Sequence, residues 1–331
     1  MAQGAGFIMR AIGGYFEIAD YENGKSFPHS GGILLNTGRN ALEYILRHLS
    51  PVKRVYLPFY TCGVVLEPLK KLQIPWRFYH VDTNFEMVED IQPGEGEYVI
   101  VNNYFGIKDD YLRIAAQKYA DHLIADCAQA LFGGPAEGVK SFYSFRKYVG
   151  VADGGVAYLG REKGRQVEVD DIECTEEHDG HIYTRKHSGA EAGFAEYQTN
   201  ECKLENQPVR WMSETTRRIL EHIDYDKVIA VRRDNFSYLH DALNRRNLLQ
   251  LPGSDTFVCP MVYPFLTKNG GELRRKMIEN RVYVAKYWPD MQRISGFGTE
   301  FGMADSVIAV PCDHRYGKDD MDRIIQIINN D

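Results

Sequence analysis

The chain has 331 residues, 44% of them hydrophobic and 26% charged, which is length enough for one large and one small domain around a buried core. A formal net charge of -7 argues against a general nucleic-acid binder, which needs a basic surface. No apolar run approaches the roughly 18 to 20 residues of a membrane span, and the first residues lack the charged-then-apolar pattern of a secretory signal.

The first half alternates short apolar runs with amphipathic stretches. Residues 33–35 read as a strand, followed by the turn Asn36-Thr37-Gly38-Arg39. Leu42, Ile45, Leu46 and Leu49 then recur at the spacing of one helical face. A strand at 55–57 ends at Pro58, and a helix is expected from about 63 to 72. Residues 77–81, 98–101 and 122–125 are further strands, with a helix over 110–120 between the last two. Such alternation implies crossover connections and a mostly parallel sheet covered on both faces.

The stretch 164–206 is polar and rich in Gly, Glu and His, and reads as a long surface excursion. From 213 to 247 the pattern turns helical. The remainder carries strand-like runs at 257–259, 282–284 and 307–310, with helices at 271–280 and 318–329. The expected architecture is α/β. A large domain, 1–245, includes the excursion, and a small α+β domain follows at 246–331.

Six cysteines, Cys62, Cys127, Cys174, Cys202, Cys259 and Cys312, are scattered with no Cys-x-x-Cys pair. They read as free thiols in a reducing compartment, so the cytoplasm is the expected location. Cys174, His178, His181 and His187 are metal-ligand types. They lie among Glu173, Glu176, Glu177, Asp179 and Gly180, however, and are taken as a solvated loop, so no metal is expected.

Three pieces carry chemistry. Thr37-Gly38-Arg39-Asn40 opens a helix, whose unpaired N–H groups suit a phosphate. Asp126, in Ile124-Ala125-Asp126-Cys127-Ala128-Gln129, stands at the carboxyl end of a buried strand, where a carboxylate needs a cation. Ser144-Phe145-Arg146-Lys147 precedes Asp153-Gly154-Gly155 and offers a lysine for a Schiff base, with a cation beside it.

In this order the pieces resemble the DegT/DnrJ/StrS group of fold-type I enzymes that use pyridoxal 5′-phosphate (PLP). Gly38-Arg39-Asn40-Ala41-Leu42, Leu57-Pro58-Phe59-Tyr60-Thr61, Asp126-Cys127-Ala128-Gln129, residues 144–155, Trp288 and residues 311–316 carry the likeness, from about Gly13 to the end. The resemblance implies that Lys147 forms the Schiff base and moves protons, that Asp126 pairs with the pyridinium nitrogen, and that Gln129 meets the ring's hydroxyl edge. Gly38, Arg39 and Ser144 would hold the phosphate, and Cys62 stands where the stacking residue is often aromatic. Tyr15, Trp288 and Arg315 are candidate substrate contacts.

Two departures bear on the site. Five residues on from Ser141 lies Arg146, which cannot form the Schiff base, whereas six back from Asp153, or three on from Ser144, lies Lys147. Around residues 209–213 the family offers an asparagine to the neighbouring subunit's phosphate, and none stands here. Arg185 and Lys186, on an excursion expected to cross between the subunits of a homodimer, and Arg210 beyond it are the expected substitutes. The implied activity is amino transfer from an amino acid such as glutamate to a keto sugar, nucleotide-linked sugars included. The alternatives are a PLP-dependent lyase or dehydratase, and a catalytically degenerate binding or regulatory protein.

Overall fold

The computed structural model describes residues 9–19, 27–135, 137–161, 164–169, 179–289 and 296–330. Its centre is a seven-stranded sheet built from β2 (Ile33–Leu35), β3 (Arg54–Pro58), β4 (Trp76–Tyr79), β5 (Glu97–Asn102), β6 (Leu123–Cys127), β7 (Lys140–Ser144) and β8 (Gly155–Leu159). The spatial order is β2-β8-β7-β6-β5-β3-β4. The run from β4 to β7 is parallel, and β8 lies antiparallel to both β7 and β2. Strands β5 and β6 are buried along nearly their whole length, as expected for strands covered on both faces.

Helix α1 (Gly38–Leu49) presents Leu42, Ile45 and Leu46 to the sheet, all essentially inaccessible, and packs over β7 and β8. Each such side chain contributes roughly 1.5 to 3 kcal/mol by leaving water. Helices α2 (Leu66–Lys71) and α3 (Asp109–Tyr119) supply further crossovers. Two more helices follow in the polar excursion, α4 (Gly180–Ser188) and α5 (Phe194–Lys203). The expectation of a bare loop there is corrected for these residues. Ile182, Arg185 and Asn200 form a sparse inward face that lacks the regular apolar stripe by which a helix is read.

After α6 (Glu214–Glu221) and the long α7 (Tyr225–Leu243), the chain forms β9 (Val262–Leu266), α8 (Gly270–Glu279), β10 (Val282–Tyr283), α9 (Gly298–Ser306), β11 (Val307–Pro311) and α10 (Lys318–Asn329). Strands β9 and β11 pair antiparallel, and α7 packs on α10 and β9. The expected strand at 257–259 is absent. Phe257 and Cys259 are buried in an irregular segment whose Val258 N–H is held by Asp109 and whose Phe257 carbonyl is held by Arg233. The strand begins instead past Pro260. It carries Pro264 opposite Ala309 of β11, while Asn247 receives the Leu266 N–H and donates to the Pro264 carbonyl. At the other end of the chain, β1 (Ile12–Gly13) runs parallel to β10, so the N-terminal segment packs with the C-terminal elements.

Candidate active site

The parallel strands end side by side, and their last residues make the floor of a cavity. In register, Asn102 at the end of β5 faces Asp126 of β6, and Asp126 faces Phe142 of β7. Ser144 closes β7, and Lys147 sits in the turn that leads to β8. These residues line a cavity of about 140 Å³ with Gly38, Arg39, Thr61, Cys62, Gln129, Arg146, Glu201 and Trp288. This is the position where open parallel sheets place ligands.

Asp126 is buried at 6% exposure. Burial raises its carboxyl to about 6, opposed by the charge of Lys147 and by the Ala128 N–H, which donates to Oδ1 at 2.9 Å. Lys147 is thus close enough for its charge to be felt by Asp126, across the same cavity. A buried carboxylate in this condition favours a second cation beside it.

The end nearest Ser144 is built by the start of α1. Thr37 caps the helix, its Oγ1 accepting the Asn40 N–H at 3.1 Å, and the first intrahelical bond runs from Ala41 N to Thr37 O. The amides of Gly38 and Arg39 stand ahead of that ladder. A Cβ on Gly38 would lie 3.2 Å from the Tyr143 carbonyl and 3.3 Å from Ser144 Cβ. A Cβ on Gly155 would fall 2.4 Å from the Thr37 carbonyl carbon, so glycine is required where β8 passes behind the helix start. Asp153 fixes the other side of the loop by accepting the Ser213 N–H at 2.9 Å and the Ser213 hydroxyl at 2.8 Å.

Among the described residues, one buried amide atom on each of Asn102 and Gln129 in the lining has no hydrogen-bond partner. Asn102 donates to Thr61 Oγ1 at 2.9 Å but leaves its Oδ1 unpaired. Gln129 accepts the Phe105 N–H at 2.9 Å but leaves its Nε2 unpaired. A ligand with its own polar groups in this cavity would satisfy both. Together with a lysine, a buried carboxylate and a helix start beside a serine hydroxyl, this donor set fits PLP: a carbonyl carbon, a basic ring nitrogen, a ring hydroxyl and a phosphate.

The structure therefore brings together Gly38, Arg39, Cys62, Asp126, Gln129, Ser144, Lys147 and Trp288. Trp288 is 8% exposed and meets Tyr60 edge-on, with ring centroids 4.9 Å apart. Tyr15 and Arg315 are not part of this lining. Tyr15 donates to the Ala190 carbonyl and stacks on Tyr197, while Arg315 is held by Asp313 and Glu17. Arg185, Lys186 and Arg210 are also absent from the lining, and Arg185 pairs with Glu17. Of the metal-type cluster, Cys174 and His178 lie outside the described residues. His181 is buried against Tyr15 while His187 is exposed, so those two do not converge.

Among the lining residues that escaped the sequence reading as site residues are Asn102, Asn103, Arg146 and Glu201. Asn102 and Asn103 directly follow an apolar strand and are detectable by the same strand-end argument that finds Asp126. Arg146 reads in sequence only as a neighbour of the lysine. Glu201 carries no local signal at all, because α5 brings it from outside the sheet.

No family model matches the sequence, and no curated protein matches it. Solved structures do match the fold. DesV of S. venezuelae, solved in complex with a ketimine intermediate, is 15% identical over 90% of this chain and 84% of its own, with a TM-score of 0.64. A DegT DnrJ EryC1 StrS aminotransferase from Brucella abortus is 15% identical over 90% and 85%, with a TM-score of 0.58. DesI, solved in the presence of its TDP-sugar product, is 13% identical over 90% and 80%, with a TM-score of 0.59. The chain shares the fold of these aminotransferases, a mixed α/β fold-type I architecture with a large, mostly parallel sheet.

Proposed function

We propose that this chain is a PLP-dependent aminotransferase that moves an amino group from an amino acid such as glutamate to a keto sugar, nucleotide-linked sugars included. The observation that carries the reading is that Lys147 and a buried Asp126 line one cavity, which retains an unpaired acceptor on Asn102 and an unpaired donor on Gln129. The substrate class is supported by the fold shared with DesV and DesI, the latter solved with a TDP-sugar product. That support is one of fold, and the site residues supply the chemistry.

When bound, PLP supplies an aldehyde that condenses with amines and a ring that accepts an electron pair. The chain's own residues do the remaining work. Lys147 provides the amine for covalent retention and, once displaced, a base that takes and returns a proton beside the substrate. The Asp126 carboxylate accepts a hydrogen bond from a protonated ring nitrogen and holds the proton there. Gln129 Nε2 donates to the ring's oxygen edge. The Gly38 and Arg39 amides and the Ser144 hydroxyl donate to the phosphate. Trp288, backed by Tyr60, excludes water from one wall.

By the same reading the active protein is a cytoplasmic homodimer, divided into 1–245 and 246–331. The test is a half-reaction: PLP-loaded protein is mixed with glutamate and assayed for 2-oxoglutarate. One equivalent of keto acid per site supports amino transfer. Loading without keto acid from any amino acid, or release of ammonia from a sugar substrate, contradicts it.

A further inference from the structure

Ser144 and the start of α1 are flanked by two arginines, and each is held by one glutamate. Arg39 Nη1 donates to Glu67 Oε2 at 2.9 Å. Arg146 forms an ion pair with Glu201, which α5 carries to the cavity. The Arg146 side chain is 17% exposed. Burial lowers its guanidinium from the usual range, and Arg39 adds repulsion. A largely covered arginine in that position needs an anion.

Helix α5 is fixed over the site by neighbours of Glu201. Asn200 donates to the Ala152 carbonyl at 3.1 Å, and Tyr197 stacks on Tyr15 with centroids 4.8 Å apart. Glu201 thus stands as a tethered carboxylate, paired with Arg146, in the lining of the cavity to which Ser144 and Gly38 also contribute. A guanidinium prefers a phosphate to a single carboxylate oxygen when it can engage it with its planar fork.

We propose that Arg146 is the cation that binds the ligand's phosphate, and that Glu201 occupies it as an internal competitor until a phosphate displaces the carboxylate. The inference rests on the reading of the cavity as a PLP site. It replaces the expected cations of the excursion with the residue directly before the lysine. The step is an exchange of ion pairs: no covalent bond changes, and Glu201 passes to solvent or to a neighbouring donor as the phosphate arrives. It explains why a chain lacking the asparagine near residues 209–213 still offers charge to a phosphate from its own subunit.

The test compares PLP with pyridoxal, which lacks the phosphate, by absorbance titration of the wild type, Arg146→Gln, Arg146→Lys and Glu201→Gln. The expected result is that Arg146→Gln weakens PLP about tenfold or more, Arg146→Lys recovers part of the loss, and Glu201→Gln tightens PLP several-fold. Pyridoxal binds alike to all four proteins, which also shows that their sites are folded. PLP and pyridoxal shifting in parallel, or PLP indifferent to Arg146→Gln, overturns the proposal. If the wild type takes up neither aldehyde, the PLP reading itself falls, and inorganic phosphate then reads the subsite alone. A rise in melting temperature with phosphate that Arg146→Gln abolishes and Glu201→Gln enlarges supports the exchange. No such rise overturns it.

Discussion

Two charged neighbourhoods lie on either side of the loop between β7 and β8, and they are built to opposite rules. Lys147 faces the cavity with Asp126, Asn102 and Gln129, where polar atoms are left unpaired. Gly150, three residues on, packs so tightly on the N-terminal segment that a Cβ there would overlap the Glu17 carbonyl. On that side Glu17 Oε2 accepts from Arg185 at 2.7 Å and from Arg315 at 2.8 Å, and Arg315 also grips both Asp313 oxygens, at 2.8 and 3.0 Å. Burial acts to raise both carboxyls, but the arginines outweigh it and hold Glu17 and Asp313 below the usual carboxylate range. Asp126 shows the reverse balance, since there burial prevails. The side closed by arginine–carboxylate pairs stabilises the fold, although Arg185 Nη1 has no hydrogen-bond partner among the described residues, whereas the side around Asp126 is available to a ligand.

The largest expected effect breaks the closed side. Arg315→Ala leaves Glu17 and Asp313 buried with less compensation, and should cost about 3 to 5 kcal/mol in chemical denaturation. PLP uptake by the folded fraction should be unchanged. A variant that keeps its stability but loses PLP would show that the two neighbourhoods have been assigned the wrong way round.

Next in size is the open side. Asp126→Asn should lower turnover about a hundredfold while PLP remains bound, because the neutral amide holds a ring proton less well. Single-turnover rates near those of the wild type would mean that Asp126 is not the nitrogen's partner.

The same substitution sharpens the contrast through pH. The Asp126 carboxyl is raised from 3.8 to about 6, so its burial penalty is absent below about pH 4, develops as pH rises and is complete above 6. Without ligand, Asp126→Asn should therefore be more stable than the wild type at pH 7, by about 2 to 3 kcal/mol, with the gap closing toward pH 4. Glu17, whose carboxyl is lowered, carries the opposite sign. Its contribution is present above about pH 4.5 and is lost as pH falls through its folded value. Melting curves of Asp126→Asn and Glu17→Gln from pH 3.5 to 8 check both slopes, and slopes of equal sign would refute the contrast.

The smallest effect belongs to Ser144→Ala. It removes a hydroxyl at the edge of the cavity, so PLP affinity should fall about fivefold and pyridoxal affinity should not change. Titration of both ligands decides it.

Much of this was legible in the chain because it follows local rules. The sheet strands β2 to β6 announce themselves as apolar runs, β7 with its Lys140-Ser141-Phe142-Tyr143-Ser144 does not, and α1 shows its face at Leu42, Ile45 and Leu46. Asp126 and Lys147 are placed by strand ends and by their spacing to Ser144 and Asp153. The rest depends on contacts distant in sequence. Glu201 comes to the cavity only because α5 docks on Ala152, and nothing near residue 201 encodes that. Arg315 carries the right chemistry for an anionic substrate, yet Asp313 and Glu17 claim it, the latter 298 residues away. The short β1 is likewise unreadable from two residues, since its partner β10 lies near the other end of the chain.

One covalent bond decides the assignment of the cavity. Wild-type protein loaded with PLP and reduced with borohydride should yield a single modified peptide with the pyridoxyl group on Lys147. Lys147→Ala should yield none, while Lys140→Ala should still be modified, because Lys140 is a buried β7 residue that donates to the Asp121 carbonyl. An adduct mapped to any other lysine, or full modification of Lys147→Ala, would contradict the assignment of this cavity as the cofactor site.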